Sequence, residues 1–113
     1  MDRMKEYTQL VKRLLGEYAE LSEQQPEPGV ETVLLLDEEG GNYLWMRLGW
    51  KEERRVFNIT LYVRVREGKI WVEQDWTEQG IATDLLSAGV PSQDIVLAFH
   101  PPEMRSQTEF ATA

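Results

Sequence analysis

The stretch Tyr43-Leu44-Trp45-Met46-Arg47-Leu48-Gly49-Trp50, followed by Val56-Phe57-Asn58-Ile59-Thr60-Leu61-Tyr62-Val63-Arg64-Val65-Arg66, sets the architecture. Apolar side chains recur at every second position: Leu44, Met46, Leu48 and Trp50 in the first run, and Phe57, Ile59, Leu61, Val63 and Val65 in the second. A period of two belongs to a strand, because successive side chains of a pleated chain point to opposite faces. Pairing Leu48 with Phe57 and Met46 with Ile59 gathers the aliphatic set on one face and leaves residues 51–54 as a four-residue loop. In that register Tyr43 faces Tyr62 and Trp45 faces Thr60 on the other side.

The next hairpin turns at Glu67 and Gly68, and the faces agree only if Val65 pairs with Ile70 and Val63 with Val72. That demands a two-residue turn, where Gly68 tolerates a positive φ. Arg64 then faces Trp71, and Tyr62 also faces Glu73. Upstream, Val30 to Asp37 forms another strand, joined through Glu38, Glu39, Gly40, Gly41 and Asn42. Val33 to Leu36 is apolar at every position, so alternation leaves its register open.

From Asp2 to about Glu23 the period lengthens: Tyr7, Leu10, Val11, Leu14, Tyr18 and Leu21 make one stripe of an amphipathic helix. Gln24 to Gly29, with Pro26 and Pro28, is a connector. A second helix is expected with Thr77 as N-cap, Trp76 stapled onto Ile81, Leu85 and Leu86 continuing the stripe, and Gly89 just past the end. Ser92 to Phe99 reads as a turn and a short buried strand, stopped by Pro101 and Pro102, with one helical turn in the tail. The expectation is a two-layer α+β fold: a four-stranded antiparallel sheet with the N-terminal helix and the Thr77 helix packed on its aliphatic face.

Length and composition fit one domain spanning 1–113, with 42% hydrophobic residues and four Trp to build a core. Twenty acids against twelve bases give a net charge of -8, which repels phosphate and disfavours direct contact with nucleic acid or anionic lipid. With no Cys there is neither a disulfide framework nor a thiolate site. The longest apolar runs, Val33 to Leu36 and Ile95 to Phe99, fall far short of the ~20 residues that cross a bilayer. The charged N-terminus has no apolar segment of the signal-peptide kind, so a cytoplasmic protein without membrane attachment is expected.

Catalytic patterns are thin. His100 is the sole histidine, and no glycine loop precedes a helix in the manner of a phosphate cradle. Glu67 and Lys69, with Asp37 upstream, have the spacing of a metal-dependent nuclease, yet Gly68 puts them at a hairpin tip. Glu73, Asp75 and Glu78 are a possible oxygen site for a divalent cation, against the commoner reading as solvated carboxylates. Neither catalytic residues, a metal nor a cofactor is assigned. The informative surface is the sheet's second face, where Tyr43, Trp45, Tyr62, Arg64 and Trp71 supply the residue types enriched at protein interfaces. Glu103 and Arg105 of the C-terminal segment complete this candidate interface, unless that segment covers the face.

The run Gly68-Lys69-Ile70-Trp71-Val72-Glu73-Gln74-Asp75, with Thr77-Glu78, Gly80-Ile81-Ala82 and Asp84-Leu85-Leu86, closely resembles the XisI family, the fdxN element excision controlling factors of cyanobacteria. So do Ala88-Gly89-Val90-Pro91, Asp94-Ile95-Val96-Leu97, His100-Pro101-Pro102-Glu103-Met104-Arg105 and Thr108-Glu109-Phe110-Ala111. The helix around Tyr7, Leu14, Leu15 and Tyr18, then Gly49-Trp50 and Arg54-Arg55-Val56, fit as well, while Trp76 and Ala98 depart from the family's smaller residue and glycine. The resemblance implies an accessory role in programmed excision of a DNA element during heterocyst differentiation, alongside the nuclease-like XisH and a separate recombinase. It carries no catalytic residues.

Three readings are open. The first is a non-enzymatic regulator that binds XisH or assembles with itself as a homo-oligomer, with an inhibitor or antitoxin-like role as corollary. The second is a DNA-binding accessory using Arg54, Arg55, Arg64 and Arg66, which Glu52, Glu53 and Glu67 interrupt. The third is a nuclease built on Asp37, Glu67 and Lys69. The first is preferred.

Overall fold

The helical stripe and the period-two runs form, in the computed structural model, which describes residues 3–113, a single sequence of elements. They are α1 (Arg3–Glu23), β1 (Val30–Asp37), β2 (Asn42–Lys51), β3 (Arg54–Arg66), β4 (Lys69–Asp75), α2 (Ile81–Ser87), a 3-10 turn (Ser92–Asp94), β5 (Ile95–Leu97) and α3 (Pro102–Arg105). Asp2, expected at the start of the helix, lies outside the described residues. The sheet runs β1-β2-β3-β4-β5. Its first four strands are antiparallel neighbours, and β5 joins β4 in parallel. The α+β expectation holds, but the sheet is five-stranded and mixed, because the crossover through α2 returns the chain in the direction of β4.

The β2–β3 hairpin begins in the expected register, with Leu48 opposite Phe57 and Met46 opposite Ile59. Its turn is tighter than expected: Lys51 pairs with Arg54, leaving Glu52 (φ 58°) and Glu53 between them. One residue further along, the register slips. Trp45 faces Leu61, Tyr43 faces Val63 and Leu44 faces Tyr62, so Thr60 is the extra residue of a β-bulge. The expected pairs Tyr43–Tyr62 and Trp45–Thr60 do not form. A one-residue slip sends every later side chain to the other face, and this reverses the reading of the sheet. Leu61, Val63 and Val65 turn toward α1 and join Tyr43 and Trp45, whereas Phe57 and Ile59 stay with Leu44, Met46 and Leu48 on the far side.

The β3–β4 hairpin keeps Val65 opposite Ile70, Val63 opposite Val72 and Arg64 opposite Trp71, around a two-residue turn. Glu67 (φ 53°) and Gly68 (φ 75°) both adopt positive φ there. A second slip then sets Tyr62 opposite Gln74 instead of Glu73. β1, whose register the sequence left open, pairs Leu34 with Trp45 and Leu36 with Tyr43, which turns its even-numbered residues toward α1.

The core lies between α1 and this half of the sheet. Tyr7, Val11, Leu14 and Leu15 of α1 pack with Tyr43, Trp45, Leu61, Val63, Val65, Ile70 and Val72, and Ile81 and Leu85 of α2 close one end. Each fully buried aliphatic side chain in this set contributes about 1.5–3 kcal/mol. Leu21, expected on the buried stripe, is 61% exposed, while its neighbour Ser22 meets Thr32 of β1. Tyr18 stacks on Trp45 with ring centroids 6.0 Å apart and planes 9° from parallel. Its hydroxyl donates to Asp84, tying α1 to α2, and the Tyr7 hydroxyl donates to Asp94, tying α1 to the turn before β5.

The second helix starts three residues later than expected, with Gly80 and not Thr77 at the N-cap. Gly80 (φ 89°) precedes it, and the capping acceptor is Asp75 at the end of β4. Asp75 Oδ2 accepts from the Ile81 N–H (2.7 Å) and Oδ1 from the Thr77 N–H (2.8 Å). Thr77 serves the loop instead, its hydroxyl oxygen accepting from the Gly80 N–H at 3.1 Å. Trp76 is left 76% exposed and staples nothing. At the other end the N–H groups of Gly89 and Val90 donate to the carbonyls of Leu86 and Leu85, the paired closure expected there. Beyond β5, Ala111 bridges to Val96 in parallel, so the C-terminal segment extends the sheet at its edge.

Because a lost helix cap costs about 0.5–2 kcal/mol, Asp75→Ala is expected to lower the urea midpoint by that amount without changing the m-value. Burial and the hydrogen bond to Asp94 push the Tyr7 hydroxyl up to about 12 from 10.0. Its stabilisation is therefore complete below pH 10 and lost as pH rises toward 12. Tyr7→Phe should flatten the decline of stability across that window in alkaline unfolding titrations.

Candidate interaction face

With α1 and α2 on one side, no element among the described residues covers the other face of the sheet over β1, β2 and β3. Val33 and Leu35 of β1, Leu44, Met46, Leu48 and Trp50 of β2, and Phe57 and Ile59 of β3 lie on it, by the strand pairing and the absence of these residues from the helix-packed core. Leu35 is 49% exposed, Trp50 54% and Phe57 64%. The Arg55 guanidinium lies 5.4 Å from the Trp50 ring centroid and 5.7 Å from that of Phe57, close enough for cation–π attraction. Toward β4 the same face becomes polar. The Tyr62 hydroxyl donates to Asn42 Oδ1 at 2.8 Å, Arg64 meets Glu73 at 3.8 Å, and Arg66 lies 4.7 Å over Trp71.

This divides the sequence-derived candidates. Tyr62, Arg64 and Trp71 lie together on the open face as expected. Tyr43 (0% exposed) and Trp45 (9%) are core residues under α1, out of reach of a partner, because the Thr60 bulge puts them opposite Leu61 and Val63. Glu103 is exposed on α3, away from this cluster in the chain's C-terminal segment. Arg105 is committed internally, its guanidinium donating to the carbonyl oxygens of His100 (3.0 Å), Thr112 (3.2 Å) and Ala98 (3.3 Å). It clamps the C-terminal segment in place. Leu35, Trp50 and Phe57 went unrecognised because alternation assigned the aliphatic set to the core. The available sign was that residues 43–46 are apolar or aromatic at every position, so both faces there are apolar, and one helical stripe covers only one face.

The acidic patterns do not converge. Asp37 is separated from Lys69 by two intervening strands, which at about 4.8 Å per strand puts them roughly 14 Å apart. Asp37 caps the β1–β2 turn, accepting from the Gly40 N–H (3.0 Å) and Asn42 Nδ2 (2.9 Å), which hold its carboxyl below the usual carboxylate range. Lys69 Nζ donates to the Ala113 carbonyl at 2.6 Å. Glu73 turns toward Arg64 while Asp75 turns to α2, so the two do not share a face as the uninterrupted register required. Among the described residues no group of three or more His, Asp or Glu is placed to hold a metal ion. Also among them, no helix is long and apolar enough to cross a membrane. On the opposite edge of the sheet, Glu27 bridges Arg47 and Lys51, and its carboxyl is lowered, chiefly by the Lys51 hydrogen bond.

The model of the XisI protein family matches residues 1–112. The chain belongs to the XisI family. A solved XisI-like protein from Anabaena variabilis is 36% identical, with a TM-score of 0.90 over 97% of this chain and 99% of that one. The fdxN element excision controlling factor XisI of the same organism is 38% identical, with a TM-score of 0.87 over 99% of this chain and all of that one. Among curated proteins none matches. The five-stranded sheet with α1 across one face is thus the XisI fold, spanning the full length of both relatives.

The two faces differ in what they tolerate. Trp45→Ala should cost about 3–5 kcal/mol, as for a large aromatic removed from a core, whereas Phe57→Ala should stay within about 0.5 kcal/mol. Denaturant melts of the two variants check the assignment, since the uninterrupted register requires the reverse order.

Proposed function

We propose that this XisI-family chain is a non-catalytic controlling factor for programmed excision of a DNA element, and that it acts by binding a XisH-type, nuclease-like partner through the open sheet face. The observation that carries this reading is the pair of exposed aromatics Trp50 and Phe57 beside Arg55, at the hairpin end of the uncovered face. Exposed aromatic side chains held against an Arg have the composition of an interface hot spot. Net charge supports the choice of partner: a chain at -8 is attracted to the basic surface by which a nuclease-like protein holds DNA, and this steers association. A controlling role by occupation of that surface needs no reacting group on this chain. Direct DNA binding has less support, because Arg64 faces Glu73, Arg66 stacks on Trp71 and Arg55 lies over Trp50 and Phe57.

The test is co-purification with the cognate XisH-type protein, then calorimetry and DNA-cleavage assays with and without this chain. Phe57→Asp and Trp50→Asp are expected to retain the fold and weaken binding by about tenfold or more, the loss typical of a hot-spot residue. Undiminished affinity in both variants overturns the assignment of the face. Salt-sensitive binding of this chain alone to element-end DNA overturns the protein-directed reading.

A further inference from the structure

The two edges of the sheet are finished differently. At the far edge β5 is only three residues long, and the chain's own Ala111 bridges to its outer side. At the near edge β1 is eight residues long and pairs with β2 alone. From Thr32 to Leu36 it carries none of the devices that blunt an edge: it has no proline, no lysine and no inward charge, and its pairing with β2 is unbroken by a bulge. It is apolar on both faces, with Leu34 and Leu36 toward α1 and Val33 and Leu35 toward the open side; Leu36 and Leu35 remain about half exposed. An exposed strand edge carrying an unbroken apolar run, here Val33 to Leu36, is a template for pairing with another chain.

We infer that β1 pairs antiparallel with β1 of a second copy of this chain, about a two-fold axis at Val33, joining two sheets into one. The axis must be perpendicular to the sheet for antiparallel strands, so paired residues share a face and the register is limited to a few choices. Centring on Leu34 opposes Glu31 to Asp37 of the other copy, a like-charge pair. Centring on Leu35 draws in Asp37, whose carboxylate is already occupied by the Gly40 N–H and Asn42. With Val33 on the axis, Val30 meets Leu36, Thr32 meets Leu34 and Glu31 meets Leu35, and no charge faces another. The uncharged run gives a strand from a charged partner nothing to select, whereas its own sequence completes both halves. The open apolar faces of the two copies then adjoin through Val33 and Leu35.

This is independent of the proposed partner, and the experiment separates the two. In sedimentation velocity the wild-type chain is expected to form a dimer. Leu35→Glu, which opposes Glu31 of the other copy, should weaken it by about tenfold or more, and Leu35→Lys, which offers Glu31 a counter-charge, should leave it largely intact. Since the chain has no Cys, the Val33→Cys variant should give a covalent dimer on oxidation, because directly opposed strand positions fall within disulfide reach. A monomer at about 100 μM, where an interface of useful strength is populated, overturns the inference. So does a dimer whose Val33→Cys variant fails to cross-link, or equal loss in the Glu and Lys variants. Phe57→Asp, two strands from this edge and on the proposed partner face, should leave the dimer intact, and loss of the dimer in that variant overturns the inference.

Discussion

The arrangement of this sheet depends on one surplus residue. Without the bulge at Thr60 the alternating pattern of β3 would put Phe57, Ile59, Leu61, Val63 and Val65 on a single face, and α1, with its short stripe of Tyr7, Val11, Leu14 and Leu15, would have to cover all of it. The bulge divides that set. Leu61, Val63 and Val65 are delivered to α1 and α2, where they are buried to within a few per cent, and Phe57 and Ile59 remain outside with the even-numbered residues of β2. Tyr43 and Trp45 fill the space the division opens under α1, and the Tyr18–Trp45 stack lies where the two regimes meet. The core and the interaction face are therefore two products of the same irregularity.

Polar chemistry in this acidic chain is devoted to local structure. Asp75 starts α2, Asp37 closes the first hairpin, Asp84 and Asp94 receive the two tyrosine hydroxyls of α1, and Arg105 gathers three carbonyls of the C-terminal segment. Lys69, the most catalytic-looking cation in the sequence, holds the backbone of the last residue. Residues that look reactive by spacing are held apart or already engaged, and the surface left without an internal function is hydrophobic.

Much of the architecture was legible in the residues. The period of α1, the register around Leu48 and Phe57, the tight turn at Glu67 and Gly68 and the closure of α2 at Gly89 all follow from local patterns whose physics is local. The Thr60 bulge was not, because the apolar residues recur at every second position straight through it in the sequence, while the backbone there turns Leu61, Val63 and Val65 to the opposite face from Phe57 and Ile59. That single gap sent Tyr43 and Trp45 to the surface and Phe57 to the core in the sequence reading. The cap of α2 escaped for a related reason: Thr77 has the right chemistry at the right distance, but Asp75, farther back on the strand, reaches the helix start through the fold of the intervening loop. The fifth strand, too short for periodicity, is defined by its parallel partner. The XisI resemblance carried the functional expectation, and the family match bears out the resemblance itself.

The parallel junction of β4 and β5 has a further consequence, for the order in which the molecule assembles. Strands β1 to β4 form a meander of adjacent hairpins, contacts between near neighbours that close quickly. β5 can pair only after the α2 crossover has docked, and its seating brings Asp94 to Tyr7, joining the beginning of the chain to its final third. The slowest closure is thus also the longest in sequence, and α1 cannot be locked at its N-terminal end until it occurs. During synthesis α1 and the meander emerge before the segment that completes the sheet, so the outer edge of β4 stays open until α2 and β5 follow.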